Sequence, residues 1–238
     1  MKEYIFAWDV AKKQDATVFQ LYRRTPDVVR GNGFRPDSVF NYLDLVHQKK
    51  IEGVPYTRQC EAAKELIDTK GLKNNTDLVV DCTGVGEAVV DIMRDNGLDP
   101  VPILFTGGNQ MRVIYKDDGR RFGFGSGSFS MKRIQEFSVP KVDMIHAAKV
   151  AVEQNRIRIV PGIPYRDEFL KELMHFKGKV NENGTMVYGN DNEVKHDDFV
   201  ACFLMACWFA KYSGQTRNER TIRDDEKADW DPLGDYGW

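Results

Sequence analysis

The sequence predicts an α/β fold, a mixed β-sheet flanked by helices and carrying an inserted hairpin. Three observations predict it. The chain opens with two apolar stretches joined by a polar turn, its middle third alternates strand and helix, and a glycine-rich hairpin pattern then interrupts that alternation. At 238 residues, with 42% hydrophobic and 29% charged residues, the chain is long enough for one sizeable core.

In the opening "KEYIFAWDVAKKQDATVFQLYRR", strands are predicted over Tyr4–Val10 and Ala16–Tyr22, joined by "AKKQD". Asp15 reads there as a turn residue or a neighbour of the first strand's end. A short strand over Asp27–Arg30 and an irregular stretch to about Pro55 follow. "TRQCEAAKELIDTKG" has apolar residues at helical spacing. "TDLVVDCTGVG" reads as a buried strand, Leu78–Cys82, running into a glycine turn. "EAVVDIMRDNG" continues as a helix closed by Gly97, and "PVPILFTGG" supplies the next strand. A strand–helix–strand series of this kind produces parallel pairing, while the N-terminal hairpin makes the sheet mixed.

Residues 110–130 suggest a hairpin turning at Asp118-Gly119, outside the core. A helix over about Lys141–Gln154, a strand over Arg156–Val160, a helix or near-helix over "YRDEFLKELMHFKGKV" and a turn with a short strand in "NENGTMVYGND" lead to the last long helix, "KHDDFVACFLMACW". The expected organisation is a domain over 1–212 and a charged, disordered tail over 213–238.

Composition excludes several classes. The formal charge of -2 gives no general attraction for phosphate, so binding of nucleic acid needs a local basic patch, bound metal or another domain. The four cysteines form no C-x-x-C pair and the four histidines no H-x-x-x-H pair, which argues against zinc and for a reduced, cytoplasmic protein. No leader pattern opens the sequence. The longest apolar run, Phe199–Ala210, is shorter than the about 20 residues that cross a bilayer, so no membrane role is expected.

Carboxylates recur at the ends of apolar elements: Asp9 after "YIFAW", Asp81 after "LVV", and Asp197 with Asp198 before "FVACFLMACW". Strand alternation points Asp9 with Ile5 and Ala7, and Asp81 with Val79. Were the two strands parallel neighbours, about 4.8 Å apart, their carboxylates could share divalent ions spaced at roughly 3.5–4 Å. A carboxylate from the last helix would complete the cage. Magnesium-like cations prefer such oxygen ligands and neutralise the cluster. Asp197 suits an N-cap, and Asp198 shares a helix face with Cys202 and Met205. Aspartates at strand ends also open turns, and an Asp pair also caps helices, so the three sites carry weight only jointly. The glycines of "DCTGVGEAVVD" lack the full G-x-G-x-x-G pattern, and a tight strand-to-helix connection explains them better than a phosphate loop.

Taken in order, "FAWDVAKKQDATVF", "LVVDCTGVGEAVVDIM", "VPKVDMIHAAKVAVEQNRIRIVP" and "KHDDFVACFLMACW" resemble the nuclease domain of the large terminase subunit of tailed bacteriophages. The resemblance covers residues 1 to about 212. It implies an RNase H-like fold and a metal-dependent endodeoxyribonuclease that cuts double-stranded concatemeric viral DNA during genome packaging, in the cytoplasm of the infected host. Mapped onto this sequence, the catalytic and metal-binding positions are Asp9, Asp81, Asp198 and Asp197, with Asp198 favoured as the essential ligand of the pair. Magnesium or manganese is implied, two ions per site, with a packaging ATPase, portal or small terminase subunit as partners. Large terminase subunits usually carry an N-terminal ATPase, and the absence of a Walker lysine here implies a nuclease portion alone.

The mechanism expected of the cage is in-line phosphodiester hydrolysis, one ion on Asp9 and Asp198 activating water and one on Asp9 and Asp81 steadying the departing 3′ oxygen. Arg120, Arg121, Lys132, Arg133 and Lys141 are candidate DNA-backbone contacts, and His196 a candidate phosphate contact. The same layout serves RNase H-type and junction-resolving nucleases, and a docking module without catalysis is a further alternative. An actin-like ATPase expects a second phosphate loop after the first strand, and "AKKQDA" contains no glycine.

Overall fold

The computed structural model describes residues 1–11, 16–29, 38–84, 87–108, 110–124, 128–180, 186–190 and 196–228; for 38–39, 87, 116–124, 128–134, 186 and 215–228 it describes the backbone alone. At the centre lies β1 (Tyr4–Asp9), paired in parallel with β4 (Thr76–Asp81) and antiparallel with β2 (Ala16–Val29). β5 (Pro100–Thr106) continues the parallel run beside β4. β7 (Ser128–Pro140) pairs in parallel with β5, and β6 (Arg112–Phe124) closes that edge antiparallel to β7. On the other side, β3 (Ser38–Glu52) lies antiparallel to β2 and parallel to the short β8 (Ile157–Ile159). The result is a mixed eight-stranded sheet in the order β6-β7-β5-β4-β1-β2-β3-β8. A separate two-stranded ladder joins β9 (Phe176–Val180) to β10 (Met186–Asn190).

Helices cover both faces because the central strands are apolar on both. Ile5 and Ala7 of β1, Val79 of β4 and Ile103 of β5 meet α3 (Lys141–Glu153), α4 (Arg166–His175) and α5 (Asp198–Ala228). Phe6, Trp8, Leu78 and Val80 turn the other way, onto α1 (Tyr56–Ile67) and α2 (Glu87–Asp95), where Cys60, Ala63, Val89, Val90 and Met93 are buried. The unbroken apolar run of α5 follows from this placement. Every residue from Phe199 to Ala210 is buried, since the helix crosses the sheet with α3 and α4 packed alongside. Among the described residues, no helix is long and apolar enough to cross a membrane.

Four expectations change. The helix expected over "YRDEFLKELMHFKGKV" ends at His175, and Phe176–Val180 pairs with β10 as a strand instead. β2 and β3 form a long antiparallel pair where an irregular stretch was expected; buried polar residues, Gln20 hydrogen-bonded to Gln48 and Asn41 to the Ala210 carbonyl, hide the alternation of the strands. The expected hairpin does form, but its feet belong to the main sheet, and Asp118-Gly119 falls at a register shift within β6. Its strands continue to Phe124 and from Ser128. Finally, α5 does not stop near residue 212 but runs as backbone helix to Ala228, into the segment expected to be a disordered tail. That segment carries Arg217, Glu219, Arg220, Arg223, Glu226 and Lys227, good helix formers that a search for apolar periodicity overlooks. Asp15 and residues 229–238 lie outside the described residues.

Trp8 is fully buried on the α1/α2 face, its ring edge-on to Phe19 with centroids 5.1 Å apart. Trp8→Ala is expected to lower the unfolding free energy by about 3–5 kcal/mol, read as a fall in denaturant midpoint at unchanged slope. A loss below about 1 kcal/mol would mean that this face of the sheet does not carry the stability its packing implies.

Candidate active site

Asp9 and Asp81 stand on one rung. In the parallel β1–β4 pair Asp9 lies opposite Asp81, two residues beyond the Ala7–Val79 rung, so both carboxylates leave the sheet on the face covered by α5. Asp81 is buried, and its Oδ1 accepts a 2.7 Å hydrogen bond from the Thr83 amide. The Thr83 hydroxyl oxygen in turn accepts the Phe105 amide at 2.8 Å, tying the turn after β4 to β5. Gly84 follows with φ at +79°, a conformation that favours glycine, consistent with a tight connection into α2. Gly86 lies outside the described residues.

The start of α5 faces this rung. Cys202, one turn after Asp198, directs its Sγ to the Val18 carbonyl at 3.4 Å, and Val18 is the β2 partner of Asp9. Residues four apart share a helix face, so Asp198 lies over the end of β1. Asp197 occupies the N-cap position, its carbonyl accepting the Ala201 amide at 2.7 Å. The amides that an N-cap side chain would satisfy are instead bound from outside the helix. Glu172 of α4 accepts Phe199 N–H at 2.9 Å and Val200 N–H at 3.2 Å, both on Oε2. Glu172 was invisible to a search for strand-end carboxylates, yet it left a signal: it falls three residues after the buried Phe169, an acid inside an apolar stripe.

With its helix capped by Glu172, Asp197 turns Oδ2 to the ammonium of Lys141, 3.1 Å away. Lys141 also donates to the Tyr188 carbonyl of β10 at 3.2 Å and sits 5.3 Å from the Phe176 ring centroid. The sequence suggested a DNA-backbone contact for this lysine; the structure sets it among the aspartates. His196 is exposed, its Nδ1 3.9 Å from Asp198 Oδ2. The side chains of Arg120, Arg121, Lys132 and Arg133 lie outside the described residues, their backbone being part of β6 and β7.

The electrostatics report the same convergence. Asp9 is held well above the usual carboxylate range, first by loss of hydration and then by Asp81, Asp198 and Asp197 in that order, while Lys141 pulls it down. Burial also raises Asp81, against the Thr83 hydrogen bonds and Lys141. Burial pushes Glu172 up to about 8, against the two amides it accepts and with Asp198 adding to the rise. The buried Cys202 thiol is raised too, chiefly by burial and next by Asp9, which leaves it a poor nucleophile.

Four carboxylates around the ends of the central strands β1 and β4 are the hard oxygen donors that magnesium-class cations select, and the mutual repulsion felt at Asp9 is what such a cation would relieve. The donor set therefore fits a divalent ion. As the side chains stand, no group of three His, Cys, Asp or Glu among the described residues is set to hold one.

No protein-family model matches the chain, and no curated protein does. Solved structures do. The large terminase nuclease of thermophilic phage G20c aligns over 86% of this chain and 81% of its own, at 17% identity and a TM-score of 0.52. The same nuclease with bound magnesium gives 0.54 over 87% and 80%, at 17% identity. The large terminase nuclease domain of Thermus phage P74-26 gives 0.50 over 86% and 78%, again at 17%. This chain has the fold of a phage large-terminase nuclease. The RNase H-like expectation thus holds for the architecture, including the mixed sheet and flanking helices.

A raised carboxylate pKa has a measurable consequence. Asp9, Asp81 and Glu172 all hold protons more tightly folded than unfolded, so their ionisation removes stability as pH climbs from the unfolded values through the folded ones. For Glu172 that window runs from 4.5 to about 8. In EDTA, the melting temperature is expected to fall between pH 5 and about pH 8. Glu172→Gln, which keeps an acceptor for the two amides, should make the fall shallower. A melting temperature that rises over this interval would contradict the assignment.

Proposed function

We propose that this chain is a metal-dependent endonuclease that cleaves double-stranded, concatemeric viral DNA during genome packaging. One arrangement supports the proposal: Asp9 and Asp81 on a single rung, with the start of α5 bringing Asp198 and Asp197 over it, within a terminase-nuclease fold. The G20c nuclease has been solved with bound magnesium and with bound cobalt, which favours divalent ions here as well.

Asp9, Asp81 and Asp198 would hold the ions, two of the magnesium or manganese class, with Asp197 as a further ligand or a residue that positions water. Such ions supply an activated water and neutralise the departing 3′ oxygen of a phosphodiester. The chain's own groups set the stage. Asp9, central to the cluster, is the carboxylate placed to be shared. The Thr83 amide fixes one oxygen of Asp81. Glu172 holds the first turn of α5 so that Asp198 stays over β1. Deprotonation of Asp9 accompanies metal uptake, since the residue otherwise favours its neutral form.

The formal charge of -2 makes general attraction to DNA weak, so local cations must guide the strand. Arg120, Arg121, Lys132 and Arg133, on the β6–β7 hairpin, and His196, beside Asp198, are the proposed contacts to the DNA backbone. The proposed setting is the host cytoplasm, with a packaging ATPase, portal or small terminase subunit as partners.

With manganese or magnesium, purified protein is expected to nick and linearise supercoiled plasmid, and EDTA to stop it. Asp81→Asn should reduce the rate by at least about a hundredfold while leaving the circular dichroism spectrum unchanged. Undiminished cutting by that variant would reject the cage. Cleavage confined to an RNA–DNA hybrid or a four-way junction would redirect the substrate while keeping the chemistry.

A further inference from the structure

Lys141 stands where local physics disfavours it. It is the first residue of α3, directly after Pro140, and a cation in the first turn opposes the helix dipole. The cost is accepted because its ammonium lies against the acidic cluster. It donates to Asp197 Oδ2 at 3.1 Å and to the Tyr188 carbonyl at 3.2 Å, with the Phe176 ring below. Four elements, α3, α5, β9 and β10, are therefore joined through one nitrogen. The side chain is only one-quarter exposed, at 25%, and Asp197 is 34% exposed, so the pair is partly shielded from screening. The same charge reaches both members of the rung, lowering Asp9 and Asp81.

A tethered monovalent cation beside a divalent-ion site has two effects of opposite sense. Without metal it offsets part of the repulsion among the aspartates. With metal it repels the incoming ion and occupies one of that ion's oxygens. We propose that Lys141 is a built-in competitor for the metal, holding Asp197 in the ion-free protein and releasing it when a divalent cation enters, so that it stabilises the empty site and weakens metal affinity. The inference rests on the metal-dependent reading above and adds the regulation of that site.

The test is a manganese titration by calorimetry on wild type, Lys141→Gln and Lys141→Arg. Lys141→Gln is expected to bind Mn2+ about tenfold more tightly than wild type, the scale on which one neighbouring charge shifts a carboxylate equilibrium. Its melting temperature in EDTA should be lower and its gain on adding Mn2+ larger. Lys141→Arg, which keeps the charge, should stay within about threefold of wild type. Equal affinity in wild type and Lys141→Gln overturns this inference alone. Failure of every protein to take up Mn2+ overturns it together with the metal-dependent reading. Should Lys141→Gln not fold, wild type with 13Cε-labelled lysine decides the matter. The resonance missing from Lys141→Arg identifies Lys141, and it is expected to move as Mg2+ saturates the site. An unmoved resonance at saturation overturns the proposal.

Discussion

Parallel pairing of β1 with β4 puts two carboxylates on one rung, Asp9 against Asp81, at a strand separation of about 4.8 Å. Like charges that close, with little hydration left, do not both ionise without help. The surroundings are arranged around this constraint. A backbone amide is aimed at Asp81, a lysine reaches in from α3, and Asp9 leans toward its neutral form. A divalent cation would relieve this repulsion more completely than any of these, which is the physical support for the proposed metal site.

What forces the remaining aspartates into this crowd is the apolar body of α5. Phe199 to Ala210 are all buried, and each large side chain among them contributes about 1.5–3 kcal/mol when removed from water. Summed over one helix, that drive exceeds the repulsion among partly exposed carboxylates. The helix therefore seats itself in register with the core, through contacts such as Phe199 and Phe203 with Phe169, and carries Asp197 and Asp198 to the end of β1 whether or not their charges welcome it. A greasy helix that begins with two acids is the sequence signature of this arrangement.

Much of this was legible in the sequence because it rests on strand alternation and apolar runs. The N-terminal hairpin, the strand–helix–strand series through β4 and β5, helices α1 to α3 and the face onto which Asp9 and Asp81 project follow from periodicity, whereas the parallel pairing of β1 with β4 entered only as a condition. The long β2–β3 pair did not, since its buried Gln20, Asn41 and Gln48 break the apolar pattern and draw on partners far along the chain, Gln20 on Gln48, Asn41 on the Ala210 carbonyl and Gln48 on the Pro164 carbonyl. The helical continuation of α5 to Ala228 was hidden by charge. Within the site, the strand-end and helix-start aspartates announced themselves. Lys141 was noticed but given a peripheral part, because a lysine's distance from an acid distant in sequence cannot be read from one chain. Glu172 was missed for the same reason.

Glu172 explains how one helix start can offer two carboxylates. An aspartate that caps its own helix turns its oxygens toward the N2 and N3 amides and so away from everything else. Here those amides, on Phe199 and Val200, belong to Glu172. Asp197 is thereby left to meet Lys141, and Asp198 to act on Asp9. The arrangement has a cost, a buried carboxyl raised to about 8, and that cost couples α4 to the site electrically. A proton on Glu172 reduces the negative charge around Asp198, and loss of that proton restores it. The cap is thus more than a structural fixture: the group that orients the acidic helix start also belongs to the charge that a cation entering the cluster would meet.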